Sequence, residues 1–218
     1  MNQLTVFNIS AQFGGADEVI HPVVLQDASH LVLIDCGYVG FLSQIEQALT
    51  EGGFSARDLT HVYITHQDHD HMGALADLKS KYPGIQVVAG REEAPYISGE
   101  KKSLRLAQAE AMQEQLPPEQ QEFGRAFCAL LKRVQPVPVD VEVKDGDVLD
   151  WCGGCIVLAT PGHTPGHTSL YLQEFQTLIT GDAIALENGA PVLPNPQYTL
   201  DMPCLLYTSD AADDLLCV

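Results

Sequence analysis

Three short segments of the sequence combine residue types that bind metal ions. Residues 65–73 read T-H-Q-D-H-D-H-M-G, so three imidazoles and two carboxylates fall within six consecutive positions. Residues 160–167 read T-P-G-H-T-P-G-H, and residues 180–182 read T-G-D. Zinc, iron and manganese accept imidazole nitrogen and carboxylate oxygen, and a catalytic ion keeps a position open for water beside about three protein ligands. Together the segments predict a dinuclear metal site that performs hydrolysis.

The elements around these segments predict where they lie in the fold. An apolar strand at residues 61–65 runs directly into the first segment, which places ligand side chains at a strand end, the usual position for a site in a layered α/β protein. Helical spacing occurs at residues 41–49 and 72–82. Further apolar runs of strand length occupy residues 4–9, 19–25, 31–35, 85–89, 137–143, 155–159, 169–173 and 177–180. Two β-rich halves predict an α/β (α+β) fold in which two sheets pack face to face with helices outside.

A polar, helix-prone segment separates the two halves. It covers about residues 98–133 and is interrupted by Pro117-Pro118, which predicts two helices joined at the prolines. Since both neighbouring halves carry candidate ligands, we expect the helices either to cover the site and select the substrate or to form an exposed structural pair.

Composition limits the classes of partner. The 218 residues carry a formal net charge of −18, which repels phosphate backbones and anionic membranes. We therefore expect a small-molecule substrate and no nucleic-acid or membrane partner. No stretch approaches the ~20 apolar residues of a membrane span, and residues 1–10 lack the basic and apolar regions of a signal peptide, so a cytoplasmic location is predicted. The sequence predicts no particular oligomeric state.

The order of these motifs resembles that of the metallo-β-lactamase superfamily. That family's signature is H-x-H-x-D-H, followed at a distance by T-P-G-H and then by G-D; this chain has residues 66–71, 160–163 and 180–182 in the same order. Residues 33–37, L-I-D-C-G, look like the family's L-I-D-T-G strand. The resemblance implies an αββα sandwich with a dinuclear centre at one edge and hydrolysis as the default chemistry.

The resemblance also implies a set of ligands. The first metal would be held by His66, Asp68 and His163, the second by Asp70 and His71, and both by Asp182. Position 68 departs from the family, because an aspartate replaces the second histidine. We expect Asp68 to ligate directly and to favour iron or manganese, with weak occupancy of that position as the alternative. His69 and His167 are not expected to be ligands, and Asp35 is expected to hydrogen-bond the metal loop or to orient a ligand histidine.

The end of the chain reads differently from the rest. Residues 204–218 resemble the translation of an adapter used in sequencing libraries, so we interpret them as a non-native tail. The predicted domain then covers residues 1–203, includes the helical insert at about 98–133 and lacks the last C-terminal elements of the family fold. A histidine ligand of the second metal would be missing with them.

The sequence thus predicts a metal-dependent hydrolase. A hydroxide that bridges two divalent ions, zinc before iron or manganese, would cleave an ester, lactone or thioester bond of a small molecule, with Asp70 as the catalytic proton acceptor. Two alternatives stay open at this point: an iron-dependent oxidoreductase of the same fold, and a non-catalytic metal-binding protein. The metal that the protein binds would distinguish them.

Overall fold

Two β-sheets form the framework. The computed structural model describes residues 2–13, 16–187 and 189–207. The first sheet has six strands in the order β1 (Gln3–Val6), β4 (Val23–Gln26), β5 (Leu31–Ile34), β6 (His61–Ile64), β7 (Gln86–Gly90) and β8 (Val141–Val143). The strands from β1 to β5 pair antiparallel, and those from β5 to β8 pair parallel. Parallel neighbours need crossover connections, which here contain the helices.

The second sheet is antiparallel throughout. Its order is β12 (Thr177–Ile179), β11 (Thr168–Leu172), β10 (Cys155–Ala159) and β9 (Val148–Leu149). Two separate hairpins join β2 (Ile9–Phe13) to β3 (Ala16–Ile20) and β13 (Ala185–Glu187) to β14 (Ala190–Val192). Sequential antiparallel strands joined by short connections require no helix between them, in contrast to the parallel strands β5 to β8 of the first sheet.

Between residues 42 and 131, five α-helices accompany the sheets. They are α1 (Leu42–Glu51), α2 (Leu75–Lys81), α3 (Ala94–Ile97), α4 (Leu104–Gln113) and α5 (Gln121–Leu131). The last two form the helical insert, and the break between them contains Pro117 and Pro118, as predicted. None of the helices in the described part of the chain has both the length and the apolar character needed to cross a membrane.

The central strands of the first sheet are buried on both faces. Within β5, Val32 and Ile34 belong to a cluster that includes Val157 and Leu170 of the second sheet. The alternate residues Leu31 and Leu33 belong to a second cluster with helix residues, among them Ile45, Leu49, Leu75 and Leu78. Full burial of one such side chain contributes roughly 1.5–3 kcal/mol to stability, so the two apolar layers fix the sheet between the helices and the second sheet. The mixed α/β class and the two face-to-face sheets are as predicted.

Three predicted strands are shorter or divided. The run at residues 4–9 separates into β1 and β2, and the run at 19–25 is interrupted at His21 and Pro22. Of residues 137–143, only Val141–Val143 form a strand, because Pro136 and Pro138 lack the N–H group that a ladder requires. Apolar composition alone did not reveal these interruptions.

Part of the predicted tail packs against the domain. Residues 202–207 form a helical segment, and Leu205 is fully buried. A Cβ added to Gly162 would lie 2.5 Å from the Leu205 Cβ, so the two backbones approach closely. Residues 208–218 lie outside the described residues, and the domain limit at residue 203 stays a prediction.

Candidate metal centre

The structure brings the three metal-binding segments of the sequence to one edge of the sandwich. Residues 65–73 follow β6, residues 160–167 connect β10 to β11, and residues 180–182 follow β12. The Thr65 carbonyl accepts a hydrogen bond from the backbone N–H of Thr168 at 3.2 Å, which joins the first segment to the second sheet. Gly73 ends the first segment, and a Cβ there would lie 2.3 Å from the backbone nitrogen of Val39. Only glycine permits this close approach.

One group of potential ligand atoms comprises His66, Asp68 and His163, all buried. The Asp68 Oδ2 lies 3.1 Å from the His163 Nε2 and 3.7 Å from the His66 Nε2. Ligand atoms around a tetrahedral ion with bonds of 2.0–2.1 Å lie roughly 3.4 Å apart, so the three atoms have suitable spacing. Among the described residues, the buried His66 Nε2 and Asp68 Oδ1 have no hydrogen-bond partner. Buried polar atoms without partners are rare and costly, and a cation would satisfy both.

A second group comprises His66, His71 and Asp182. The Asp182 Oδ1 lies 3.2 Å from the His71 Nε2, whereas its Oδ2 lies 3.4 Å from the His163 Nε2. The two oxygens of one carboxylate therefore face the two groups. The predicted ligand Asp70 lies beside this second group, with its Oδ2 3.7 Å from the His71 Nε2.

Neighbouring charged groups shift the pKa values of two residues in the site. Burial raises the pKa of the Asp68 carboxyl, but contacts with His163 and His66 and the charge of Arg105 outweigh it and hold that pKa well below its usual value. Burial lowers the pKa of His71, but the nearby aspartates, Asp182 foremost, outweigh burial and raise it well above its usual value. The site thus attracts positive charge, and a divalent cation would displace the His71 proton.

Two further residues form hydrogen bonds with potential ligands. Asp35, at φ 57°, accepts hydrogen bonds from the Thr65 backbone N–H at 2.9 Å and from the His71 Nδ1 at 2.8 Å. Its predicted role in holding the metal loop and orienting a histidine is confirmed. His167 is fully buried, and its Nε2 accepts a hydrogen bond from the Asp182 backbone N–H at 3.0 Å. Burial lowers the pKa of His167 well below its usual value, which keeps the ring neutral and able to accept.

His69 belongs to neither group of potential ligands among the described residues, and the expectation that it is not a ligand stays a prediction. Its ring packs edge-on against Tyr38 and Phe127, with centroid distances of 5.5 and 5.7 Å. It therefore forms part of the wall of a cleft beside the site.

That cleft has a volume of about 440 Å³ and lies between the metal residues and the helical insert. Its apolar lining comprises Tyr38, Ala109, Met112, Leu116, Phe123 and Phe127. Of the two expectations for the insert, the structure supports the one in which the helices cover the site.

Two charged residues of the site were not predicted from the sequence. Glu93 is completely buried and accepts hydrogen bonds from the Gln67 backbone N–H, the Thr164 hydroxyl and the Gly166 backbone N–H at 2.7–2.9 Å. It thereby joins residues 65–73 to residues 160–167. Arg105, on α4, donates to the Asp68 Oδ2. Neither residue belongs to a motif, and each contacts partners at least 26 positions away in the chain.

Comparisons with known proteins agree with this geometry. The probable metallo-hydrolase YflN of Bacillus subtilis (strain 168) is 29% identical over 191 residues, covering 85% of this chain and 69% of that protein. The hydroxyacylglutathione hydrolase of Rhizobium meliloti (strain 1021) is 27% identical over 127 residues, covering 58% of this chain and 34% of that protein. The crystal structure of a metallo-beta-lactamase family protein from Thermus thermophilus, TTHA1429, matches with a TM-score of 0.72 and 25% identity, over 97% of this chain and 70% of that one.

The family assignment rests on most of the sequence as well as on the site. The sequence model of the metallo-beta-lactamase superfamily matches residues 17–217, a range that contains all six predicted ligands. Two groups of potential ligand atoms joined by one carboxylate, at the edge of two stacked sheets, agree with that match. The chain belongs to the metallo-beta-lactamase superfamily.

Proposed function

We propose that this metallo-hydrolase cleaves an ester, lactone or thioester bond of a small, uncharged molecule with an apolar acyl group. The observation that carries the proposal is the Asp182 carboxylate, whose two oxygens face His71 and His163, members of two groups of potential ligands that share His66, beside an apolar cleft. This arrangement suits a pair of cations that act on one bond.

The residues present fit two divalent cations. The first position would be formed by His66, Asp68 and His163, and the second by Asp70 and His71, with Asp182 shared. Mixed imidazole and carboxylate donors suit zinc, our first choice, and the carboxylate at position 68 also suits iron or manganese. Bound cations would supply Lewis acidity to the carbonyl oxygen and to the attacking water.

A side chain of the protein would accept the proton of the attacking water. Asp70 lies at the cleft, is 28% exposed and has its Oδ1 3.3 Å from the His69 Nδ1. It can accept a proton from the attacking water and deliver it to the leaving group. Asp35 and His167 would keep His71 and Asp182 in position while this occurs.

The cleft favours a neutral substrate. Apart from histidines, Arg105 is the one cationic side chain among the described residues that line it. The carboxylates of Asp68, Asp70 and Asp182 also line the cleft and would repel an anion. The name of the Rhizobium meliloti relative suggests a thioester, but glutathione carries two carboxylates, so we favour an uncharged thiol or alcohol component. Nucleic acids and membranes are not among the proposed partners, and a cytoplasmic location stays a prediction.

A panel of substrates tests the proposal. The zinc-loaded protein is assayed with p-nitrophenyl acetate, butyrate and octanoate, a lactone and a neutral acyl thioester, before and after treatment with a chelator. We expect turnover that the chelator abolishes and that zinc restores. Phe127→Ala should raise the KM for the octanoate far more than that for the acetate, because the Phe127 ring lines the cleft.

A variant at the proposed proton acceptor completes the test. Asp70→Asn should lower kcat by about 100-fold or more, while Asp58→Asn, at an exposed position in a short turn, should leave it unchanged. Bound metal without turnover on any member of the panel would refute the proposal. Oxygen consumption by an iron-loaded protein would instead support the oxidoreductase alternative.

A further inference from the structure

A buried ion pair joins the helical insert to the first metal position. Arg105 is 3% exposed, and its Nε and Nη2 donate to the Asp68 Oδ2 at 3.0 and 2.6 Å. The Nη2 also donates to the Tyr198 carbonyl, and the Nη1 donates to the Gln108 Oε1, each at 2.5 Å. The guanidinium is thus held by the chain on several sides and is not free to bind a substrate.

The same carboxylate oxygen faces the potential metal ligands. The Asp68 Oδ2 lies 3.1 Å from the His163 Nε2, and the Arg105 Nη2 lies 3.5 Å from that same nitrogen. Among the described residues the Oδ1 of this carboxylate has no hydrogen-bond partner, so a cation held by either Asp68 oxygen beside His163 would lie close to the guanidinium. Two positive charges at such a separation repel each other strongly where burial excludes water.

The second position lacks such a competitor. In the described part of the chain, the ion pairs of Asp70 and Asp182 involve histidines alone. Among the described residues, a guanidinium contacts the carboxylate of the first position, whereas no lysine or arginine forms an ion pair with the carboxylates of the second. The two positions should consequently differ in affinity.

We infer that Arg105 is a built-in competitor of the first metal ion, so that the second position fills first and filling of the first position loosens α4 from the site. The inference rests on the proposed metal centre and adds a regulatory property to it. Because α4 lines the cleft, occupancy of the first position would be coupled to the shape of the substrate site, and the coupling must be reciprocal.

Zinc affinities of matched variants test the inference. The 218-residue chain, Arg105→Gln, Arg105→Lys and the control Arg91→Gln are titrated with zinc against a chromophoric chelator. Arg91 forms an exposed ion pair with Glu142, so its substitution removes one positive charge away from the site. We expect one tight and one weak zinc in wild type, tightening of the weak zinc by roughly tenfold or more in Arg105→Gln, and wild-type behaviour in the other two.

Several outcomes would overturn the inference. Unchanged or weaker binding of the second zinc in Arg105→Gln would show that Arg105 only orients Asp68 as a ligand. Two equally tight zinc ions in wild type would refute the competition but not the metal centre. No zinc binding in wild type or in any variant would refute the centre and the inference together.

Hydrogen exchange of the wild-type protein gives a test that does not depend on the folding of a variant. The backbone amides of α4, Leu104–Gln113, are monitored with zero, one and two equivalents of zinc. The second equivalent should accelerate their exchange, since it would displace the guanidinium that fixes the helix to Asp68. Slower or unchanged exchange at the second equivalent would contradict the inference.

Discussion

Among substitutions of residues that hydrogen-bond a potential ligand, replacement of Asp35 by asparagine should weaken metal binding most. The asparagine amide retains one oxygen for the Thr65 N–H, but its NH₂ group cannot accept the His71 Nδ1 proton. That proton must then move to Nε2, the nitrogen that faces Asp182. Loss of such a partner typically lowers metal affinity by roughly 10–100-fold, which corresponds to about 1.4–2.7 kcal/mol. Asparagine also tolerates the positive φ of this position, so backbone strain does not confuse the result.

The assay is zinc affinity by chelator competition, together with urea unfolding of the metal-free protein. Asp27→Asn is the matched control, because Asp27 also accepts backbone hydrogen bonds, from Ser29, His30 and Cys152, each at 2.8 Å. Asp27 follows β4 at the end of the sheet opposite to Asp35. Both variants should lose stability, and only Asp35→Asn should lose metal affinity. Wild-type affinity in Asp35→Asn, or equal losses in both variants, would refute the reasoning.

Three further predictions concern stability. Glu93→Gln replaces one oxygen acceptor of a buried network with an NH₂ group and should lower the free energy of unfolding by about 1.5–3 kcal/mol in urea titrations. A loss below about 0.5 kcal/mol would contradict the role of Glu93 in joining the loops. Gly73→Ala should lower the free energy of unfolding by more than about 2 kcal/mol in the same assay. Gly84→Ala should lower it by less than about 0.5 kcal/mol, because no atom lies within 4 Å of the added Cβ. Burial raises the pKa of Asp27, but hydrogen bonds from three backbone N–H groups outweigh burial and hold that pKa at about 2, below its value in the unfolded chain. The ionised Asp27 therefore contributes about 2 kcal/mol to the free energy of unfolding at pH values above the unfolded pKa. This contribution is lost as the pH falls through the folded pKa. The stability difference between wild type and Asp27→Asn should accordingly shrink as the pH falls from about 5 toward about 2, and a difference independent of pH would contradict this assignment.

The potential ligands could be predicted because they lie in short motifs. His66, Asp68 and His71 follow a recognisable strand, and the geometry of strand ends places them at the edge of a sheet. His163 and Asp182 belong to the two later segments, and their approach to the first follows from the family resemblance. The six proposed ligands remain predictions about metal binding, even though the structure brings them together.

The residues that connect distant segments could not be predicted. Glu93 and Arg105 act through contacts with residues 26 to 93 positions away, and their neighbours in sequence contain no periodic or motif signal. A charged residue in a polar helical segment is ordinarily exposed, so only the tertiary structure shows that Arg105 is buried. Such buried pairs depend on the packing of whole elements rather than on local sequence.

The strand predictions failed where the chain bends. The apolar runs on either side of Pro22 and at residues 137–143 have the composition of continuous strands, yet prolines and sheet changes divide them. Composition therefore identified the strands but not their ends.

Anomalous diffraction from a zinc-soaked crystal tests the central claim most directly. We predict two zinc peaks on either side of the Asp182 carboxylate, one within about 2.0–2.2 Å of ligand atoms of His66, Asp68 and His163, and one beside Asp70 and His71. The first peak should be the weaker at low zinc concentration. No peak between these residues, or zinc bound only elsewhere on the protein, would contradict the account.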